Sequence, residues 1–138
     1  MNNNKHSQEE ILEEIDIRSE NITNDEINEI ISEEKIVDKK SSALDIRKYG
    51  RFIRQMKLAM SLLKDFRNKS YTDVPWRSIG FIAAAVLYFI NPFDVVPDML
   101  PVFGYGDDAM LFAALFKSIQ TDLEKYAGWK GINSKDYF

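Results

Sequence analysis

Residues 78–93, with the sequence SIGFIAAAVLYFINPF, carry no charged side chain at any of sixteen consecutive positions. Such a run is apolar around most of a helical circumference, so a helix formed by it must be buried in protein or in lipid. A helix that crosses a bilayer needs about 20 such residues, within a range of about 17–25. The run falls just short, which favours a buried core helix or a shallow hairpin over a simple span.

Helical patterns surround this run, and no segment alternates as a strand would, so we predict an all-α fold. An amphipathic helix is expected over residues 43–68, an apolar helix over 74–90 and a third helix over 108–127. The apolar positions of the first recur every three or four residues: Tyr49, Phe52, Ile53, Met56, Met60 and Leu63. The last two helices would form a hairpin joined by a connector rich in proline and aspartate.

Charge is distributed very unevenly along the chain. Residues 1–38 have a net charge of −9, residues 39–77 of +8, and residues 78–138 of −3. The acidic part has only weak helical stretches, one of them opened by a capping box from Thr23 to Glu26. We therefore predict a largely flexible acidic arm over 1–42 that ends in a linker at 39–42. A helical domain over 43–130 and a short tail over 131–138 would follow.

The predicted amphipathic helix has a basic side opposite its apolar stripe. Arg47, Arg51 and Arg54 share that side, and Lys57 lies at its flank. Such a surface could bind anionic lipid, pair with the acidic arm, or simply be solvated. Nucleic acid is not expected as a partner, because no aromatic residues are interleaved on the basic side. The acidic arm could itself meet a protein partner.

A proline-punctuated motif follows the apolar helix, from residue 88 to residue 108. Its anchor positions are Tyr88, Asn91, Pro92, Asp94, Pro97, Asp98, Pro101, Gly104, Asp107 and Asp108. This pattern resembles the signature of the YkvA-like family. The resemblance implies a small helical hairpin that is often membrane-associated and that is also found attached to other domains. It carries over no catalytic residue.

The four aspartates of the motif, at positions 94, 98, 107 and 108, have two interpretations. They could cap helices and shape turns, since negative charge is favourable at helix starts. They could instead bind a divalent cation or a small ligand through oxygen atoms. With no cysteine and a single histidine, His6, neither a zinc site nor a catalytic triad is expected. We expect no enzyme activity and no cofactor.

Two overall arrangements remain open. In the first, the apolar hairpin anchors the chain in a membrane from the cytoplasmic side. No basic segment followed by an apolar core occurs at the N-terminus, and this favours that side. In the second, the helices form a soluble cytoplasmic bundle that binds a cation or ligand through its aspartates. Carboxylates and irregular backbone are unfavourable at membrane depth unless they are shielded, which supports the second arrangement.

Overall fold

A computed structural model describes residues 3–91, 116–117, 119–133 and 135, with side chains from residue 11 onward. The described residues form helices and no strand, which confirms the all-α class. The helices, in chain order, are α1 (Asn3–Ser19), α2 (Asn24–Ser32), α3 (Glu34–Ser42), α4 (Ile46–Arg67), α5 (Trp76–Ile90) and α6 (Gln120–Lys130).

The uncharged run forms the central helix, α5. Ten of its fifteen residues are buried, and α1, α2, α3 and α4 all pack against it. Trp76 and Arg77, at its first turn, are exposed. Protein thus covers this apolar helix on several sides.

The acidic N-terminal segment is part of this covering. Its apolar side chains are buried: Ile11, Ile15, Ile22, Ile27, Ile30 and Val37. This corrects the expectation of a largely flexible arm for residues 11–42. Each short helix is marginal alone, but burial of its isoleucines against α5 supplies the stabilisation that the isolated segment lacks.

The junction between α1 and α2 contains the capping box that the sequence predicts. The Thr23 hydroxyl accepts a hydrogen bond from the Glu26 amide at 3.2 Å, and the Thr23 amide donates to Glu26 Oε1 at 3.1 Å. Arg18, in the last turn of α1, also binds the Glu26 carboxylate. This hydrogen bond is the main reason that the pKa of Glu26 is lowered, although partial burial opposes it. The corner between the two helices is therefore held by both neutral and charged contacts.

The linker predicted at residues 39–42 is wrong, because these residues complete α3. The helix ends after them. The next helix, α4, is capped by the Asp45 carboxylate, which accepts a hydrogen bond from the Arg47 amide at 3.0 Å. Lys40 Nζ donates to the carbonyl oxygens of Phe89 and Ile90 at 3.1 and 2.6 Å. The lysine thereby satisfies carbonyls that the end of α5 leaves without a helical partner.

The predicted helix limits agree closely with α4 and α5 and less well with α6. As expected, α5 stops before Asn91. Pro75 occupies its N-cap position, and Asp73 Oδ2 binds Lys125 Nζ at 2.8 Å. The helix α6 extends to Lys130, past the predicted end at residue 127, and its C-cap is Gly131, whose φ of 81° is left-handed and suits glycine.

Two helices approach each other closely at Gly80. A Cβ atom at this position would lie 2.6 Å from the carbonyl oxygen of Ser19, at the end of α1. That oxygen belongs to the backbone, so it cannot move without shifting α1. Glycine at position 80 therefore allows α1 to lie directly on α5.

We expect Gly80→Ala to lower the free energy of unfolding by about 1–3 kcal/mol, because the added methyl group overpacks this contact. Gly128→Ala is the matched control. It lies within α6 with nothing within 4 Å of an added Cβ, and alanine should stabilise the helix by about 0.5–1 kcal/mol. Urea denaturation followed by circular dichroism measures both. Equal stabilisation by the two substitutions would show that α1 does not pack at Gly80.

Candidate functional site

The N-terminal half of α4 presents a strongly basic surface. Residues 46–60 contain five basic side chains and no acidic one. Arg47, Arg51, Arg54 and Lys57 are all exposed, and the helical repeat places them within an arc of about 120°. We refer to these four residues as the basic face. Its binding to lipid stays a prediction.

The acidic helices contact the other half of α4. Lys64 Nζ donates to both Glu34 carboxylate oxygens at 3.1 and 3.2 Å, and an Arg67 guanidinium nitrogen donates to Asn28 Oδ1 at 3.4 Å. Lys64 lies about 20 Å along the helix from Arg51, given the rise of 1.5 Å per residue. These contacts between the acidic segment and α4 therefore lie in the C-terminal half of that helix.

Aromatic contacts on the buried side of α4 join this helix to the end of α5, where the proline motif begins. The Phe52 ring lies 5.3 Å from Phe89 and 5.7 Å from Phe116, measured between centroids. Tyr88 is buried, and exposed Asn91 closes α5 by donating its amide to the Leu87 carbonyl at 2.8 Å. The remaining anchors lie outside the described residues: Pro92, Asp94, Pro97, Asp98, Pro101, Gly104, Asp107 and Asp108.

A polar cluster that the sequence interpretation missed joins α4 to α6. The Tyr126 hydroxyl donates to the Asp65 carboxylate, and Lys130 Nζ donates to the same Asp65 oxygen at 2.8 Å. The Ser61 hydroxyl lies 2.6 Å from the Tyr126 oxygen and can donate to it. Asp65 is the single acidic residue of α4, beside seven basic ones. This isolated acid was the sequence signal for a specific contact at that position.

The cluster shifts three pKa values, and the hydrogen bond to Asp65 raises that of Lys130. Burial acts to raise the pKa of Asp65, but hydrogen bonds from Lys130 and Tyr126 outweigh it and hold that pKa below the ordinary 3.8. Burial and the hydrogen bond to Asp65 raise the pKa of Tyr126. The cluster therefore favours an ionised Asp65 beside a neutral tyrosine, as expected for a charge-assisted structural contact.

The described residues contain no group of three or more acidic or histidine side chains that could hold a metal ion. The four aspartates proposed for that role belong to the stretch that is not described. Among the helices of the described part, none combines the length and hydropathy needed to cross a membrane.

Comparison with known proteins agrees with the motif. Residues 78–114 match a family described as a protein of unknown function (DUF1232). The chain is 30% identical over 69 residues to the uncharacterized membrane protein YkvA of Bacillus subtilis (strain 168). That alignment covers 50% of this chain and 65% of the relative, just under two thirds of the relative's length. No solved structure matches the chain. The chain is thus similar to YkvA-like proteins over the region that contains the motif, and the resemblance read from the motif agrees with both comparisons.

Asp65→Asn should destabilise the fold by about 1–3 kcal/mol near neutral pH, because it removes the charged acceptor that Tyr126 and Lys130 share. Since the folded-state pKa of Asp65 is depressed, its stabilisation is present above the unfolded-state value and is lost as pH falls through the folded-state value. The stability difference between wild type and variant should therefore shrink below about pH 4.

Urea denaturation between about pH 7 and pH 3 measures this difference. Asp38→Asn is the control, since Asp38 is exposed at the surface of α3 and should change stability by less than about 0.5 kcal/mol. A difference for Asp65→Asn that stays constant over the whole pH range would contradict the assigned ionised state.

Proposed function

We propose that the protein associates with anionic membrane surfaces through the basic face of α4, as a non-catalytic anchor or interaction module on the cytoplasmic side. The observation that carries the proposal is the exposure of Arg47, Arg51, Arg54 and Lys57 on one side of a single helix. The contacts of the acidic helices with Lys64 and Arg67 lie in the C-terminal half of α4, and the four side chains of the basic face are exposed.

The expected strength of binding follows from the number of charges. Each lysine or arginine near an anionic bilayer contributes about 1 kcal/mol, and the attraction decays within a Debye length of about 8–10 Å. Four such residues would supply about 4 kcal/mol, which is enough for reversible binding. Membrane association of this kind should weaken strongly as salt concentration rises.

An exposed apolar residue adjoins the basic face. Ile46 is 70% exposed at the first position of α4, and the helical repeat places it within about 20° of Lys57. Exposed aliphatic groups beside basic ones are typical of helices that lie in the headgroup region of a bilayer. Ile46 could therefore insert shallowly while the neighbouring charges contact lipid headgroups.

Two further observations support contact at the surface. The relative from Bacillus subtilis is named a membrane protein, which favours a bilayer as the partner. In the part of the chain that the structure describes, the most apolar helix, α5, is packed against four others. The basic face is thus a better candidate for lipid contact than the buried apolar run. The acidic helices stay available to a protein partner.

Co-sedimentation with vesicles tests the proposal. Binding to vesicles that contain phosphatidylserine should exceed binding to pure phosphatidylcholine vesicles. Arg51→Gln should weaken the former about fivefold and Arg47→Gln/Arg51→Gln about 30-fold, at about 1 kcal/mol per charge. Lys35→Gln is the control. Lys35 is exposed and is next to Glu34, which binds Lys64 in the C-terminal half of α4, so it lies far from the basic face.

The Lys35 variant should bind anionic vesicles as the wild type does. Equal binding of the wild type to anionic and neutral vesicles would refute the electrostatic mechanism. An equal loss of binding in the Lys35 variant would show that total charge matters and that the basic face does not.

A further inference from the structure

A cleft lies between α2, the end of α4 and the start of α5, away from the basic face. Its volume is about 580 Å³, within the range of about 300–1,000 Å³ that is usual for small-molecule sites. The residues that line it come from three helices and the connection between α4 and α5: Asn24, Ile27, Asn28, Phe66, Arg67, Lys69, Thr72 and Trp76.

One part of the cleft is apolar and aromatic. The rings of Phe66 and Trp76 stand 6.0 Å apart with an angle of 42° between their planes. Ile27, which is only 1% exposed, contributes the deepest apolar side chain, whereas Trp76 is 44% exposed. Such a wall can hold an apolar group against two aromatic rings, and it leaves a large tryptophan surface uncovered in the free protein.

The other part of the cleft is polar and positively charged. Arg67 and Lys69 are its charged lining residues, and Asn24, Asn28 and Thr72 add uncharged hydrogen-bonding groups. No carboxylate lines it within the described part of the chain. The nearby acids on α2, Asp25 and Glu29, are not among the residues that line the cleft. An anionic group would therefore meet two cations without an opposing charge in the wall.

The backbone at Lys69 is the second unusual feature of the cleft. Its φ is 63°, the left-handed conformation that ends many helices and that normally suits glycine or asparagine. Its amide donates to the Phe66 carbonyl at 3.1 Å and closes the last turn of α4. A lysine at this position lowers the folding stability by about 1 kcal/mol relative to glycine, and its exposed side chain adds no core packing in return.

We propose that this cleft binds a small anionic amphiphile, a molecule with one carboxylate or phosphate group on a short apolar body. The anionic group would lie between Arg67 and Lys69, and the apolar body would lie against Phe66 and Trp76. The site is distinct from the basic face, because Arg67 lies about 30 Å along α4 from Arg47 and about 160° around it. It goes beyond the surface association proposed above and does not depend on it.

Tryptophan fluorescence of a Trp129→Phe variant tests this inference, because Trp76 is then the single tryptophan. Titration with decanoate below its micelle concentration should change the Trp76 emission saturably. Decyltrimethylammonium, which has the same chain and the opposite charge, should bind at least tenfold more weakly. Inorganic phosphate alone should also bind weakly, since it lacks the apolar body.

Added substitutions assign the binding to the cleft. Arg67→Gln/Lys69→Gln should weaken decanoate binding at least tenfold, whereas Lys57→Gln, on the basic face, should leave it unchanged. The Arg67→Gln/Lys69→Gln variant should also keep its binding to anionic vesicles, which separates a free amphiphile from bilayer lipid as the ligand. Circular dichroism of each variant verifies folding.

A folded Trp129→Phe protein whose emission does not respond to decanoate would overturn the inference. Equal affinity for decanoate and decyltrimethylammonium, or no effect of Arg67→Gln/Lys69→Gln, would overturn it as well. Loss of vesicle binding in that variant would identify the cleft as part of the membrane contact and would overturn its assignment as a separate site.

Discussion

The burial of α5 is the constraint on which the rest of the described structure depends. From Ser78 to Ile90 this helix has no charge, and its ten buried residues face several directions. Fully burying one large aliphatic or aromatic side chain contributes about 1.5–3 kcal/mol, so leaving such a helix exposed to water would be very unfavourable. The chain meets the constraint with four helices, and Gly80 allows α1 to approach α5 closely because it has no side chain where α1 crosses.

This arrangement also separates the charges of the molecule. The acidic helices turn their isoleucines toward α5, and two of their side chains, Glu34 and Asn28, contact the C-terminal half of α4. The N-terminal half of α4 keeps its basic face at the surface, while its buried Phe52 packs against Phe89 near the end of α5. The proposed membrane contact thus follows from the way the apolar helix is covered, and a membrane-spanning segment is not required for it.

Local patterns in the sequence were sufficient for part of this fold. The three- and four-residue spacing of apolar side chains predicted α4 to within three residues at its start, and Asn91-Pro92 marked the end of α5. The same spacing predicted which side of α4 is exposed. The Thr23 capping box was visible because both of its partners lie within four residues. These features depend on neighbours in the chain.

Features that depend on distant partners were not predicted. The isoleucines of α1 and α2 are too few for independent stability, and their burial requires a helix about 60 residues further along the chain. Lys40 was assigned to a linker because its partners, the carbonyls of Phe89 and Ile90, are 49 and 50 positions away. The Asp65–Tyr126 contact spans 61 positions. The aspartates of the motif lie outside the described residues, so their role stays a prediction.

Amide hydrogen exchange of the full chain in detergent-free buffer tests the central claim most directly. If α1 and α2 cover α5, amides of residues 11–19 and 27–31 should be protected together with those of residues 80–90, because they open in the same cooperative unit. Exchange of residues 11–31 at the rate of an unfolded peptide, with α5 still protected, would contradict the account. It would show that something other than the N-terminal helices covers the apolar helix.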